Sequence, residues 1–335
     1  MDTLEHVEPH PAVVPDVGPD AGSFAYLMRR MREEPMGRLL YLEHFGLRCA
    51  PFQLTPSPDF FYGAGNRGTL LYALLYCLRH GNGIVTLTGE VGTGKTMLAR
   101  MLLSCAPKAL DIAFIANPSL RRAEVVPVIA DELGIDLAGA PPAQGLRILQ
   151  RALIDRYASG RRVVVLIDEA HAMPLDTLEE VRLLSNLESS SHKLLQILLV
   201  GQDELRETLA APAQRPLRER ITQRFHLTPL GVEEVQTYLG FRLHRAGGRT
   251  DTFDPEAAVR LGRASLGLIR RVNILADKAL MAAFMENSPQ VLRRHVELAV
   301  NDAAFEAIRV KHVPGEPSAL GRLWRKFGLG RVGPR

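Results

Sequence analysis

Two patterns of apolar positions alternate along the middle of the chain. Short, largely apolar runs lie at 83–88, 111–116, 162–168 and 194–201, and a further candidate strand lies at 224–228. Between them, apolar residues recur at every third or fourth position. Continuous β-branched runs of this length suit strands buried on both faces, and the stretches between them suit helices that bury one face. Their alternation from about Gly83 to Pro229 predicts a parallel five-stranded sheet covered by helices on both faces. From about Val232 to Ile308 the pattern is helical only. Its stripes include Val235, Tyr238, Leu239, Phe241 and Leu243, then Ile274, Leu275, Ala279, Leu280, Ala283 and Phe284. A small all-helical domain is expected to follow the sheet.

Length and composition agree with that plan. A chain of 335 residues accommodates one large α/β domain and a smaller one. The hydrophobic share of 46% and charged share of 23% are ordinary for a globular protein, and a formal charge of +4 is too small to indicate nucleic acid by itself. Cys49, Cys77 and Cys105 form no C-x-x-C pair, so neither a zinc site nor a disulfide framework is expected, and the thiols suit a reducing compartment. No apolar run approaches the roughly 18–20 residues that cross a bilayer, and no signal peptide is evident, so a cytoplasmic protein is expected. Residues 1–20 hold five acidic residues, four prolines and no lysine or arginine. The expected division is a disordered or weakly ordered extension over 1–40, a nucleotide-binding α/β domain over 41–229, a helical lid over 230–308 and a basic flexible tail over 309–335.

The chemistry begins at Gly89-Glu90-Val91-Gly92-Thr93-Gly94-Lys95-Thr96, a complete G-x-x-x-x-G-K-T loop placed between an apolar strand and a helical stretch. Its glycines let backbone N–H groups turn toward phosphate oxygens. Lys95 would reach the β- and γ-phosphates of a nucleoside triphosphate, and the Thr96 hydroxyl would hold Mg²⁺. The strand Val163–Ile167 delivers Asp168 and Glu169 at its C-terminal end, where open α/β sheets bind ligands. Asp168 fits the residue that orients Mg²⁺, and Glu169 the one that polarises the attacking water. The letters Asp168-Glu169-Ala170-His171 also match a helicase box, but the chain downstream is too short and too helical for a second motor domain.

A helical bundle after a nucleotide-binding sheet is the AAA+ plan, and its other parts can be placed in order. Gln202, after the strand 195–200, is the candidate for sensing the γ-phosphate. The basic segment Arg215–Phe225 offers Arg220, with Arg224 as the alternative, as an arginine donated to a neighbour's nucleotide. In the helical region, Arg270 would reach back over the phosphates.

The segments Tyr41–Leu47, Pro51–Pro56 and Asp59–Tyr62 resemble the opening signature of the general secretion pathway protein A ATPases, a group that includes pilus-biogenesis ATPases and those encoded beside exopolysaccharide and exosortase genes. The phosphate loop, the Leu217–Phe225 segment and Gly267–Asn273 are similar to that family too, so the resemblance covers about residues 41–305. It implies an AAA+ P-loop NTPase fold, ATP hydrolysis with Mg²⁺, a place for Pro51–Thr55 near the adenine, and a role in assembling envelope or secretion machinery. The long members continue into a membrane span and a peptidoglycan-binding domain, and a match to the short, soluble members is the expectation here. Ile269 stands where the family's sensor helix usually starts with proline.

Three function classes follow. The first is an ATPase that self-associates into a ring or filament and drives or regulates a secretion, pilus or exopolysaccharide-export apparatus. The second is a DNA-bound AAA+ regulator like transposon target-selection ATPases, using Arg242, Arg245, Arg249, Arg260, Arg263, Arg293 and Arg294. The third, a nucleotide-gated scaffold without turnover, would not need Glu169. The tail from Lys311 carries six lysines and arginines, with Trp324 and Phe327 among them. It suits either peripheral contact with the inner membrane or a solubilising segment.

Overall fold

The computed structural model describes residues 41–303, apart from 82, 117, 138 and 189–192. The expectations for 1–40, for the end of the lid and for the basic tail lie outside the described residues.

Five parallel strands form one sheet in the order β2-β3-β4-β1-β5. They are β1 (Ile84–Thr88), β2 (Leu110–Ile115), β3 (Arg162–Ile167), β4 (Leu195–Gly201) and β5 (Ile221–His226). Every residue of β1 and β4 is buried, which explains why their sequences lack alternation. β2, at one edge, is partly buried, and β5, at the other, is the most exposed. β5 has Thr222, Gln223 and Arg224 exposed, and it pairs with β1 across an irregularity at Ile84/Val85. Its polar start hides it from an apolar-run criterion, so it begins at Ile221 rather than at 224. That difference puts Arg220 directly before the strand.

One sheet face is covered by α2 (Arg67–His80) and α3 (Lys95–Cys105), which bury Leu70, Leu74, Leu78, Leu98 and Leu102 against Val85, Leu87, Val164 and Leu198. The other face is covered by α4 (Val125–Glu132), α5 (Pro142–Ala158), α6 (Leu175–Leu184) and α7 (Glu204–Ala210), with the short α8 (Arg215–Arg218) after them. Strand side chains point alternately to the two faces, so both layers are needed to keep them from water.

The lid comprises α9 (Val232–Arg245), α10 (Pro255–Ser265), α11 (Ile269–Met285) and α12 (Arg293–Ala303). The Asp254 side chain caps α10 by accepting from Glu256 N at 3.0 Å. The lid core also takes in the segment that begins at α1 (Tyr41–His44): Tyr41, Leu42, Phe45, Leu47, Phe52 and Tyr62 are buried among Tyr238, Leu243, Leu275 and Leu280. The Tyr41 hydroxyl donates to Asp277, and the His44 ring meets the Ser288 carbonyl at 2.7 Å. Arg242, 4% exposed, holds the same arm by donating to the Pro51 carbonyl, with its guanidinium 4.6 Å from the Phe60 ring centre.

Sheet and lid meet where Leu230 crosses Gly267. Leu230 N donates to Gly267 O at 2.9 Å, Gly267 has φ +70°, and a Cβ there would lie 1.9 Å from Leu230 O. Only glycine fits. Gly267→Ala is expected to lower unfolding stability by about 2–5 kcal/mol through backbone strain plus overlap. A denaturant titration with an unchanged midpoint would contradict this.

Candidate active site

The loop between β1 and α3 is built as a phosphate cradle. Gly92 and Gly94 adopt φ +81° and +101°, conformations that side-chain-bearing residues rarely hold. Gly94 immediately precedes α3, whose first residue is Lys95. The Lys95 side chain is buried, and its Nζ donates to the carbonyls of Gly89 at 2.8 Å and Glu90 at 3.0 Å. Burial lowers its pKa, and the nearby carboxylates of Glu169 and Asp168 oppose that shift. The ammonium therefore sits over the loop among opposite charges.

Asp168 follows β3 directly and is 4% exposed. Burial raises its pKa, while hydrogen bonds from the Glu169 N–H, at 2.9 Å, and the Thr96 hydroxyl work in the other direction. A buried carboxylate joined to a threonine hydroxyl at the start of the loop helix is an oxygen donor set that fits Mg²⁺, which takes few protein ligands and completes its shell with phosphate and water. The residues present therefore fit a magnesium nucleotide.

Glu169 adopts φ +50°, uncommon for a residue with a side chain and worth about 1–3 kcal/mol of strain. Its carboxylate is directed at Gln202, whose Nε2 donates to Oε2 at 3.5 Å, and at His171, whose Nδ1 lies 3.4 Å from the same oxygen. The Gln202 N–H also points to His171 Nδ1 at 3.5 Å. Glu169, His171 and Gln202 thus form one cluster at the C-terminal ends of β3 and β4. Nearby, His226 at the end of β5 lies 3.3 Å from the Thr88 hydroxyl and 3.5 Å from Asp203.

The lid reaches the loop through the first turn of α11. Arg270 N donates to Gly92 O at 3.1 Å, and a Cβ on Gly94 would lie 3.4 Å from Ile269 Cδ1. Arg270's own side chain is exposed. The Pro51–Pro56 segment spans the same junction: Gln53 O accepts from Asn273 of α11 at 3.3 Å, and Pro56 O accepts from Arg100 of α3 at 3.0 Å.

Arg220 lies apart from this group. Its carbonyl accepts from Ile84 N at 3.2 Å, so it sits at the N-terminal end of β1, one strand length of roughly 16 Å from the phosphate loop. There it lines a surface cleft of about 420 Å³ with Gly83, Arg182, Lys193 and Glu219. The alternative, Arg224, is tied to the Arg218 carbonyl at 3.2 Å.

Lys95, Thr96, Asp168, Glu169 and Gln202 are therefore brought together, Arg270 touches the loop through its backbone, and Arg220 is held at the far end of the sheet. Sequence reasoning missed the contacts of His171, Asp203, His226 and Arg67. The first was visible only as the last letter of the helicase-like quartet, and the others carry no local signal.

Comparison with known proteins agrees with this geometry. Residues 78–209 match the model of a family described as AAA domain. Over 269 residues the chain is 40% identical to general secretion pathway protein A of Aeromonas hydrophila, a match covering 79% of this chain and 49% of that protein. The chain thus spans about half the length of that relative. Among solved structures, the fold is similar to the Aeropyrum pernix ORC2 protein, determined in ADPNP–ADP complexes, at 19% identity and a TM-score of 0.58, covering 77% of this chain and 72% of that one. It is also similar to Cdc6p of Pyrobaculum aerophilum, at 17% identity and a TM-score of 0.57, covering 74% and 71%. Drosophila ORC bound to DNA gives 17% identity and a TM-score of 0.57, covering 84% and 74%. These structures share the fold: a five-stranded AAA+ P-loop core followed by a helical lid. The chain thus has the AAA+ P-loop fold, carries an AAA domain over residues 78–209, and is similar to general secretion pathway protein A over about half of that protein's length.

Proposed function

We propose that this protein hydrolyses ATP and uses the cycle to drive or regulate assembly of a secretion, pilus or exopolysaccharide-export apparatus. The observation that carries the enzymatic part is the convergence of Lys95, Asp168, Glu169 and Gln202 at one end of the sheet. The link to secretion rests on the similarity to general secretion pathway protein A. Among the described residues no helix is long and apolar enough to cross a membrane.

In the mechanism, the N–H groups of Gly89–Thr96 and the Lys95 ammonium bind the phosphates. Thr96 and Asp168 would hold Mg²⁺, which when bound neutralises phosphate charge. Glu169 accepts a proton from the attacking water, and Gln202 orients that carboxylate through the contact already present. Arg270, whose N–H donates to Gly92 O, would reach over the γ-phosphate with its exposed side chain. The distance of Arg220 from its own loop supports a role toward a neighbouring copy's nucleotide, so the site is complete only in a ring or filament.

Arg220→Ala is expected to bind ATP normally and to hydrolyse it on the order of 10³-fold more slowly. Mixing it with Lys95→Ala chains should restore part of the rate, because the second chain offers Arg220 to the first chain's intact loop. Mixtures no more active than either variant alone would remove the support for a shared site.

The DNA-regulator reading has less support. Six of the seven lid arginines that would meet DNA phosphates are engaged within the chain: Arg242 with Pro51 O, Arg245 with Asp59 O, Arg249 with Asp251, Arg260 and Arg293 with Glu297, and Arg294 with Glu286.

A further inference from the structure

Arg67 opens α2 and is 4% exposed, deep burial for a guanidinium. Its Nη2 donates to two carbonyls, Thr93 O at 3.4 Å and Thr228 O at 3.2 Å. Its Nε is buried without a partner among the described residues. Thr93 belongs to the phosphate loop, between the two left-handed glycines. Thr228 lies on the short connection from β5 to the lid. Glu234, in the first turn of α9, faces the same point: a Cβ on Gly65 would lie 2.6 Å from Glu234 Oε1 and 3.7 Å from Arg67 Nη1. Burial pulls the Arg67 pKa down, and the Glu234 carboxylate is the first of the groups that oppose it.

From this geometry we propose that Arg67 is a positioning residue that ties the phosphate loop to the lid hinge, so that loop shape and lid setting change together. The proposal rests on the loop being an ATP site. A single guanidinium nitrogen serves both carbonyls, and they belong to different parts of the fold. Rotation of the lid about 228–231 would move Thr228 relative to Thr93, and the nitrogen cannot follow both. The bond it loses leaves a buried charge less satisfied, which gives the two positions a shared energetic preference. The lid grips the adjoining carbonyl as well, because Arg270 N donates to Gly92 O. The loop is thus held at two successive carbonyls, Gly92 by the lid itself and Thr93 by a side chain that also holds the hinge. Arg67 acts through the loop backbone and takes no part in proton transfer.

The test uses Arg67→Gln and Arg67→Lys in the full chain. Titration with a fluorescent ATP analogue, KM and kcat, and melting without nucleotide are the first readouts. Arg67→Gln should keep a cooperative melt, yet weaken analogue binding and raise KM about tenfold or more, with kcat changed less than about threefold. Arg67→Lys, which keeps the charge on a shorter side chain, should recover part of the affinity.

A distance measurement separates positioning from stability. Spin labels on the exposed Cys105 of α3 and on Met285→Cys of α11, with Cys49 and Cys77 replaced by alanine, report sheet-to-lid separation. In the otherwise wild-type chain the distance should shift on adding ATP with Mg²⁺. With Arg67→Gln at saturating nucleotide it should broaden and no longer shift. Wild-type affinity and shift in Arg67→Gln would overturn the proposal, as would a wild-type chain that binds ATP without any shift. A wild-type chain that binds no analogue would overturn the ATP reading beneath it.

Discussion

Glu169→Gln is expected to bind ATP as tightly as the wild type and to hydrolyse it about 10²–10⁴-fold more slowly, the usual worth of a positioned general base. The substitution keeps shape and hydrogen-bonding capacity and removes only the basic oxygen. Glu169 is an intermediate-exposure residue after a buried strand, so its replacement leaves the core untouched. Asp168, Thr96 and Lys95 remain in place to bind nucleotide. An assembled, ATP-loaded state should therefore accumulate, visible as a larger species in sizing with ATP than with ADP. A variant that turned over ATP like the wild type would show that another group activates the water. His171, 3.4 Å from the same oxygen, would be examined next.

Lys95→Ala should be as large an effect on binding. The ammonium is the only side-chain cation bonded to the loop carbonyls of Gly89 and Glu90 among the described residues, and it would face the phosphates when they enter. Losing charge-assisted hydrogen bonds of about 1.5–3 kcal/mol each corresponds to roughly 10²–10⁴-fold in affinity, enough to abolish binding at ordinary nucleotide concentrations. Stability without nucleotide should change much less, because removing a buried ammonium also removes its desolvation cost. Calorimetric titration with ATP and a melt of the free protein check the two halves. Retained binding, or a chain that no longer folds, would contradict this account of the site.

What could be read from the chain was local. The phosphate loop announces itself because glycine spacing, the preceding apolar strand and the following helix are contiguous, and β1, β3 and β4 showed as largely apolar runs because they are buried on both faces. β5 started earlier than expected because an exposed edge strand tolerates Thr222, Gln223 and Arg224. What could not be read was long-range. Periodicity does not say which layer an arm packs against, and the hydroxyl of Tyr41 finds Asp277 across 236 residues of sequence. Arg67 looks like any surface arginine before a helix until Thr93 and Thr228 close over it. The strained backbone of Glu169 likewise depends on how β3 and the following turn are held, not on residue type.

The same division separates activity from biology. Nucleotide chemistry is written in short motifs at the C-terminal ends of the strands. Which assembly the cycle serves is carried by surfaces, and the relative that points to secretion is about twice the length of the match. Under the proposed function Arg220 is where the two meet, because its place at the far end of the sheet suits a role toward a second copy's nucleotide.

The most direct measurement is ATPase rate per subunit against protein concentration, with and without duplex DNA, at low and physiological salt. A rate that rises with concentration and is indifferent to DNA is the predicted result, since a site completed by a neighbour works only in the assembled state. A rate per subunit independent of concentration would contradict the shared site. Stimulation by DNA that fades as salt rises would contradict the secretion reading in favour of a nucleic-acid regulator.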